Sequence, residues 1–157
     1  MAVTTEARFP PIAGETLTGR RLQLPADFEA PLNLVFVAFR RSQQPDVDSW
    51  LDVAADLEAG FPDLHYYELP VISRLYSPAR TFIDGGMRAG IPDEDTRERT
   101  VTVYTDKGVV RRALDIDDES EIHALLVDPN GTVYWRAAGP KTDEDATHLR
   151  EVILSLT

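Results

Sequence analysis

The chain has 157 residues, a length typical of one domain, and 43% of them are hydrophobic, an ordinary fraction for a globular protein. It contains no cysteine, which excludes disulfide bonds, thiolate metal ligands and a cysteine nucleophile. Its formal net charge of -11 disfavours binding to nucleic acid, and no apolar run reaches the roughly 20 residues that span a bilayer.

Two further compositional features bear on location. Residues 1–8 lack the basic and apolar pattern of a secretory signal, so we expect a cytoplasmic protein without an integral membrane segment. Lys107 and Lys141 are the only lysines, and the other basic residues are arginines. This acidic, lysine-poor composition fits either a high-salt cytoplasm or a GC-rich genome.

The first elements in chain order are a hairpin, a buried strand and a helix. Residues 9–25 combine turn glycines with alternating apolar positions, which predicts the hairpin. Residues 32–39 form a nearly continuous apolar run, typical of a central parallel strand that is buried on both faces. A polar loop follows at residues 40–45, and then a helix with Asp46 or Asp48 as its N-cap. The buried face of that helix is predicted to comprise Val47, Trp50, Ala54 and Leu57.

The middle of the chain predicts a second strand and a second helix. The strand covers residues 64–69 and ends near Pro70. The helix has Ser77 as its N-cap, followed by a proline at the first helical position, and it ends around Gly90. Its apolar positions are Phe82, Ile83 and Met87. Gly85 and Gly86 inside it each cost up to about 1 kcal/mol relative to alanine, so we expect close packing or a bend there.

The C-terminal third predicts strands around a hairpin and a last helix. Residues 100–104 alternate as a third strand, and residues 109–114 fit a short helix better than a strand. Asn130-Gly131 joins two β-prone stretches, residues 123–127 and 132–135, into a hairpin. The last helix begins after Thr142 as N-cap, and three acidic residues follow in its first turn.

Strands that alternate with helices and end in a hairpin predict an α/β fold. We expect a central mixed sheet, made of parallel strands plus the C-terminal antiparallel hairpin, with helices on both faces. Residues 1–157 are predicted to be a single domain, in which residues 1–31 form an N-terminal extension and hairpin and residues 32–157 form the core.

This order of elements resembles the thioredoxin-like superfamily, in the branch that contains peroxiredoxins and membrane-tethered thioredoxin relatives. Residues 35–39 with the loop behind them resemble its active-site strand, and residues 125–131 resemble its penultimate hairpin. Redox members carry a Cys-x-x-Cys pair at the start of the following helix and a cis-proline before the penultimate strand. The resemblance implies that Ser42, Gln43, Gln44 and Pro45 occupy the first position here and Ile122 the second. Both redox signatures are therefore missing.

A narrower resemblance connects the middle of the chain to the mitochondrial ATP synthase assembly factor family, as a cysteine-free, prokaryotic-type relative. The matching residues are 67–72, 83–91, Asp93, Arg97, Thr100 and Tyr104, with Met87-Arg88-x-Gly90-Ile91 as the most specific part. This resemblance implies a role in binding or assembly. The chain lacks the mitochondrial targeting segment of the eukaryotic members.

Several charged side chains are candidates for binding a ligand or a partner. In an open α/β sheet, ligands bind beyond the carboxyl ends of the parallel strands, where arginines can clamp a carboxylate or a phosphate. The alternative is that these arginines form ordinary surface ion pairs. The candidates are Arg40, Arg41, Asp84, Arg88, Asp93, Arg97 and Tyr104.

No catalytic residue, metal ligand or cofactor-binding motif is predicted. The leading hypothesis is a non-redox domain that binds a protein partner, in complex assembly or chaperoning. Two alternatives stay open: a non-thiol enzyme or small-ligand binder that uses an arginine-lined pocket for an anionic substrate, and a scaffold whose main property is self-association.

Overall fold

The computed structural model of the protein describes residues 7–157, so the first six residues of the predicted extension, which include most of the stretch judged for a secretory signal, lie outside the described residues. The strands are β1 Ile12–Thr16, β2 Arg21–Leu24, β3 Leu32–Ala38, β4 Leu64–Ser73, β5 Val101–Thr105, β6 His123–Val127 and β7 Val133–Ala138. The helices are α1 Gln44–Asp48, α2 Leu51–Gly60, α3 Arg80–Gly90, α4 Glu94–Arg99, α5 Lys107–Ala113 and α6 Asp143–Leu156. Turns of 3-10 helix at Arg41–Gln43 and Arg74–Ala79 precede α1 and α3.

The strands form one mixed sheet in the order β2-β1-β5-β4-β3-β6-β7. β3, β4 and β5 run parallel to one another. β6 pairs antiparallel with both β3 and β7, while β1 pairs antiparallel with β2 and β5. The predicted N-terminal hairpin, parallel centre and C-terminal antiparallel hairpin are all confirmed.

β3 lies at the centre because its residues are apolar on both sides of the strand. Val35 and Val37 pack into a core that also contains the α5 residue Val110, whereas Phe36 packs into a second core with the α2 residue Ala54 and the α6 residue Leu149. The predicted layers of helix on both faces of the sheet are confirmed.

The start of the first helix differs from the prediction. The 3-10 turn Arg41–Gln43 leads directly into α1, so Pro45 lies in the first turn, where its fixed φ is compatible with a helix. Asp46 and Asp48 therefore lie inside α1, and the prediction that one of them is the N-cap is wrong. The buried face is confirmed at Val47, Trp50, Ala54 and Leu57.

β4 continues past the proline that was predicted to end it. Pro70 pairs with Ala38, the last residue of β3, and the next three residues of β4 pair with β5. The missing N–H of Pro70 therefore falls where the pairing passes from β3 to β5, so the strand tolerates it.

The segment before α3 also differs from the prediction. The hydroxyl of Ser73, at the end of β4, accepts a hydrogen bond from the Leu75 N–H at 3.3 Å and starts the helical turn early. Ser77 therefore lies inside a 3-10 turn and is not the N-cap, whereas the end of α3 at Gly90 is as predicted. A Cβ added to Gly85 or Gly86 would meet no atom within 4 Å, so close packing, one of the two expected alternatives, is not found at these glycines.

Candidate functional site

The loop after β3 stands where sequence reasoning places the counterpart of the redox site of thioredoxin-like proteins. Phe39 is buried, Arg40, Arg41 and Ser42 are exposed, and Gln43 is buried again. The exposed residues thus lie at the carboxyl end of the parallel strands, the edge of the sheet at which α/β proteins bind ligands.

The buried side chain of Gln43 fixes the backbone of this loop. Its Oε1 accepts hydrogen bonds from the Phe39 N–H at 2.9 Å and the Arg40 N–H at 3.2 Å. Its Nε2 donates to the Glu119 carbonyl at 2.6 Å, which ties the loop to the segment before β6. An amide with both an acceptor and a donor end can satisfy all three backbone groups at once.

Lys107, at the start of α5, holds the same loop from the other side. Its Nζ donates to the Phe39 carbonyl at 2.6 Å and lies 3.5 Å from a carboxylate oxygen of Glu119. Arg111 lies one turn further along α5, 3.6 Å from the same carboxylate, and donates to the Asp117 carbonyl at 2.9 Å. The acidic segment before β6 is therefore held by two basic residues of α5.

Ser42 has none of the neighbours that would make its hydroxyl a nucleophile. Across residues 7–157 no hydrogen bond involves that hydroxyl, and the residue is exposed. An alcohol needs an adjacent base to react at neutral pH. The geometry thus gives Ser42 the properties of a surface residue.

Ile122 occupies the position that the resemblance assigns to the cis-proline. It is fully buried in the core that contains Trp50, and its carbonyl accepts a hydrogen bond from the Gly139 N–H at 2.9 Å. The cis peptide bond found in the described part of the chain is Leu24–Pro25 instead. A fully buried apolar side chain thus occupies the position that the resemblance assigns to the cis-proline.

The side chain of Gln44, at the start of α1, contacts the carboxylate of Glu68, in β4. The Gln44 Nε2 donates to a carboxylate oxygen of Glu68 at 3.1 Å and of Asp48 at 2.9 Å. Burial raises the pKa of the Glu68 carboxyl, and the hydrogen bond from Gln44 opposes that rise. Sequence reasoning missed Glu68, although an acid inside an apolar strand was a usable signal.

Asp84 and Tyr104, both candidates for binding a ligand or a partner, contact each other. The Tyr104 hydroxyl donates to Asp84 at 2.8 Å, and Thr102 lies 3.4 Å from the other carboxylate oxygen. Burial, and then the bond to Asp84, raise the pKa of Tyr104. The Arg80 guanidinium lies over the Tyr104 ring at 4.7 Å. These side chains fasten α3 to β5.

The other candidates on this side of the molecule also make internal contacts. The Arg88 guanidinium donates to the Leu17 carbonyl at 2.9 Å, and Arg97 donates to the Arg88 carbonyl at 2.7 Å. Asp93 caps α4 by accepting hydrogen bonds from Thr96, and these bonds lower the pKa of its carboxyl.

The structure therefore divides the predicted candidates into two groups. Arg40 and Arg41 lie after β3, and the others lie around α3, α4 and β5: Asp84, Arg88, Asp93, Arg97 and Tyr104. Among residues 7–157, no hydrogen bond or ion pair joins the two groups, and no cluster of three metal-ligating side chains is found. Nor is any helix of the described chain long and apolar enough to cross a membrane.

Comparison with solved structures identifies the fold. A candidate electron transfer protein from Aquifex aeolicus superposes with a TM-score of 0.63 at 14% identity, covering 93% of this chain and 90% of that one. A member of the Sco family of cytochrome c oxidase assembly proteins gives 0.61 at 11% identity, with 97% and 96% covered. The thioredoxin domain of a thiol-disulfide oxidoreductase from Bacteroides vulgatus gives 0.57 at 21% identity, with 96% and 98% covered.

These similarities extend over nearly the whole chain and show that it has the thioredoxin-like fold. No protein-family model matches the sequence, and no curated protein matches it either. Identity this low shows the fold alone and leaves the activity open.

Proposed function

We propose that this protein is a thioredoxin-like domain without thiol chemistry that binds a protein partner at the edge of the sheet where β3, β4 and β5 end. The observation that carries this proposal is the set of exposed side chains at that edge. Leu75 is 83% exposed and Tyr76 is 59% exposed in the turn after β4, and Arg40 and Arg41 are exposed in the loop after β3.

This combination of side chains is typical of a recognition surface. Arginine and tyrosine are enriched at the energetic centres of protein interfaces, and an exposed leucine adds apolar area beside them. The loop that carries the arginines is held in one conformation by Gln43 and Lys107. A loop that is already ordered loses little conformational entropy when a partner binds.

Assembly or chaperoning of a larger complex is the role we propose for this binding. The resemblance of residues 83–91 to the ATP synthase assembly factor family supports it. The similarity to a Sco protein, named as a cytochrome c oxidase assembly protein, agrees with that role at the level of the fold. The alternative, an arginine-lined pocket for an anionic substrate, has less support because Arg88 and Arg97 donate to backbone carbonyls.

Affinity capture from the native lysate tests the proposal with three baits. Wild-type protein should retain a specific partner, and Leu75→Ser combined with Arg41→Glu should lose it. Leu154→Ser is the matched control, because Leu154 is 56% exposed on α6, away from this edge. The proposal fails if all three baits retain the same proteins or if none retains any.

A further inference from the structure

The third helix turns charged side chains toward the protein and its phenylalanine toward solvent, while its other apolar residues, Ile83 and Met87, are half-buried. Asp84 is only 5% exposed, and Arg80 and Arg88 are half-buried against Tyr104 and the Leu17 carbonyl. Phe82, in contrast, is 86% exposed. An outward phenylalanine above inward charges is unusual for a surface helix, which makes this side of α3 a candidate contact surface.

The outward side of α3 has a distinct shape as well as an apolar character. Phe82, Gly86 and Gly90 follow each other at four-residue spacing, so they lie along one face of the helix. A Cβ at either glycine would meet no atom within 4 Å. This face thus consists of the Phe82 ring followed by two positions without a side chain, Gly86 and Gly90. None of the three residues is charged.

We propose that this face, defined by Phe82, Gly86 and Gly90, binds the same face of a second copy of the chain, with the two helices antiparallel. Phe82 lies four residues before Gly86, and Gly90 lies four residues after it. A two-fold axis at Gly86 therefore places each Phe82 ring opposite the bare Gly90 of the other copy. A two-fold interface requires such a self-complementary surface.

The charges at the two ends of α3 are complementary in the same arrangement. Arg74 is exposed before the helix, and Asp93 and Glu94 are exposed after it. Antiparallel pairing brings the basic end of one copy toward the acidic end of the other, and it also opposes the two helix dipoles. A parallel pair would place like charges together at both ends.

A lipid surface would not make use of the same features. Bare glycines contribute little apolar area to a membrane, whereas they let a second helix approach closely. One helix face is small beside the roughly 1,600 Å² of a standard interface, so we expect a dissociation constant in the micromolar range. The inference does not rest on the proposed function, because the pairing face does not include Arg40, Arg41, Leu75 or Tyr76.

Light scattering after size exclusion tests the association. Wild-type protein should shift from the mass of one chain to the mass of two as its concentration rises through the micromolar range. Phe82→Glu should stay monomeric with an unchanged circular dichroism spectrum, and the exposed-leucine control Leu154→Ser should behave as wild type. A wild-type protein that remains monomeric at hundreds of micromolar would overturn the inference.

Single cysteines test the geometry, because the wild-type chain has no thiol that could react in their place. Gly86→Cys should weaken the non-covalent pairing, yet mild oxidation at high protein concentration should still link it into a disulfide-bonded dimer, since this position meets its own copy at the axis. Ala89→Cys should not, because antiparallel pairing separates the two copies of this position by about 9 Å along the axis. Cross-linking of Ala89→Cys as fast as that of Gly86→Cys would indicate another arrangement and would overturn the antiparallel assignment.

Discussion

α3 and α6 are both amphipathic, yet they differ in the side chains that they bury against the sheet. α6 buries Leu149, Val152 and Ile153 and carries its acids outside, whereas α3 buries Asp84 and exposes Phe82. The difference shows that periodicity predicts which residues share a helix face but not which face contacts the fold. For α3, polar contacts to β5 and to Leu17 decide the orientation.

The two helices should differ most in how much stability the protein loses when an apolar side chain is removed. Leu149→Ala should lower the free energy of unfolding by about 2–5 kcal/mol, because it leaves a cavity in a closed core. Phe82→Ala should change it by less than about 0.5 kcal/mol when the chain is monomeric. Urea unfolding at low protein concentration measures both. Similar losses in the two variants would show that Phe82 packs against its own chain.

The polar attachment of α3 should show the second largest effect. Asp84→Leu removes the acceptor of the half-buried Tyr104 hydroxyl and should cost about 0.5–1.5 kcal/mol, the usual net contribution of one hydrogen bond. Asp84→Asn keeps an acceptor oxygen and serves as the control with a smaller loss. Equal unfolding midpoints for the wild type and the leucine variant would contradict this account of how α3 is held.

A glycine substitution should separate the stability of the fold from the stability of the dimer. In the Phe82→Glu background, Gly86→Ala should raise the free energy of unfolding by up to about 1 kcal/mol, because alanine favours the helix and its Cβ meets no atom. In the otherwise wild-type chain, the same substitution should weaken dimerisation, because the added methyl group lies at the axis. Unfolding curves and light scattering check the two parts. If the substitution affects neither, the glycine has no role in pairing.

The smallest effect concerns the buried carboxylate on the side of the sheet that α6 covers. Glu68 pairs in register with Phe36, and among residues 7–157 its carboxylate accepts a hydrogen bond from the Gln44 amide only, whereas Asp84 has two hydroxyl neighbours. Burial raises the pKa of Glu68 in the folded state, so the folded state binds its proton more tightly than the unfolded state does. The contribution of Glu68 to the free energy of unfolding is therefore fully present below the ordinary pKa of a glutamate. It is lost as the pH rises through the raised pKa of Glu68 in the folded state.

Glu68→Gln should remove that dependence. The variant should be more stable than the wild type at neutral pH, and the difference should shrink on acidification toward the ordinary glutamate pKa. Unfolding measured across this range checks the sign. A difference that grows on acidification would show that the carboxylate is stabilised by its surroundings.

The sheet and most of its helices could be predicted because the apolar pattern encodes them locally. Residues 32–39 and the Asn130-Gly131 turn are strong local signals, and the structure confirms both elements. α4 was missed because it is six residues long and polar, and only the cap at Asp93 marks its start. Pro70 was misread because its tolerance depends on where β3 ends, which is a property of the pairing and not of the segment.

The site was harder to predict than the fold for a related reason. The exposed residues Arg40, Arg41 and Ser42 could be placed at a sheet edge from their position after a buried strand. Gln43 and Lys107 could not be recognised as the residues that fix this loop, because they join it to backbone groups distant in sequence, the Glu119 carbonyl for Gln43 and the Phe39 carbonyl for Lys107. Arg88 and Arg97 likewise donate hydrogen bonds to the carbonyls of Leu17 and Arg88 and not to the loop after β3. No sequence motif marks such backbone partners.

The amide of Gln43 has a consequence for engineering this loop. A side chain without both an acceptor and a donor end at this position would leave the Phe39 and Arg40 N–H groups and the Glu119 carbonyl without their partner at the same time. Ile122 sets a second constraint, because a proline there would have to replace a fully buried side chain. A thiol site designed into this scaffold would therefore have to leave both positions unchanged and use the exposed residues of the loop instead.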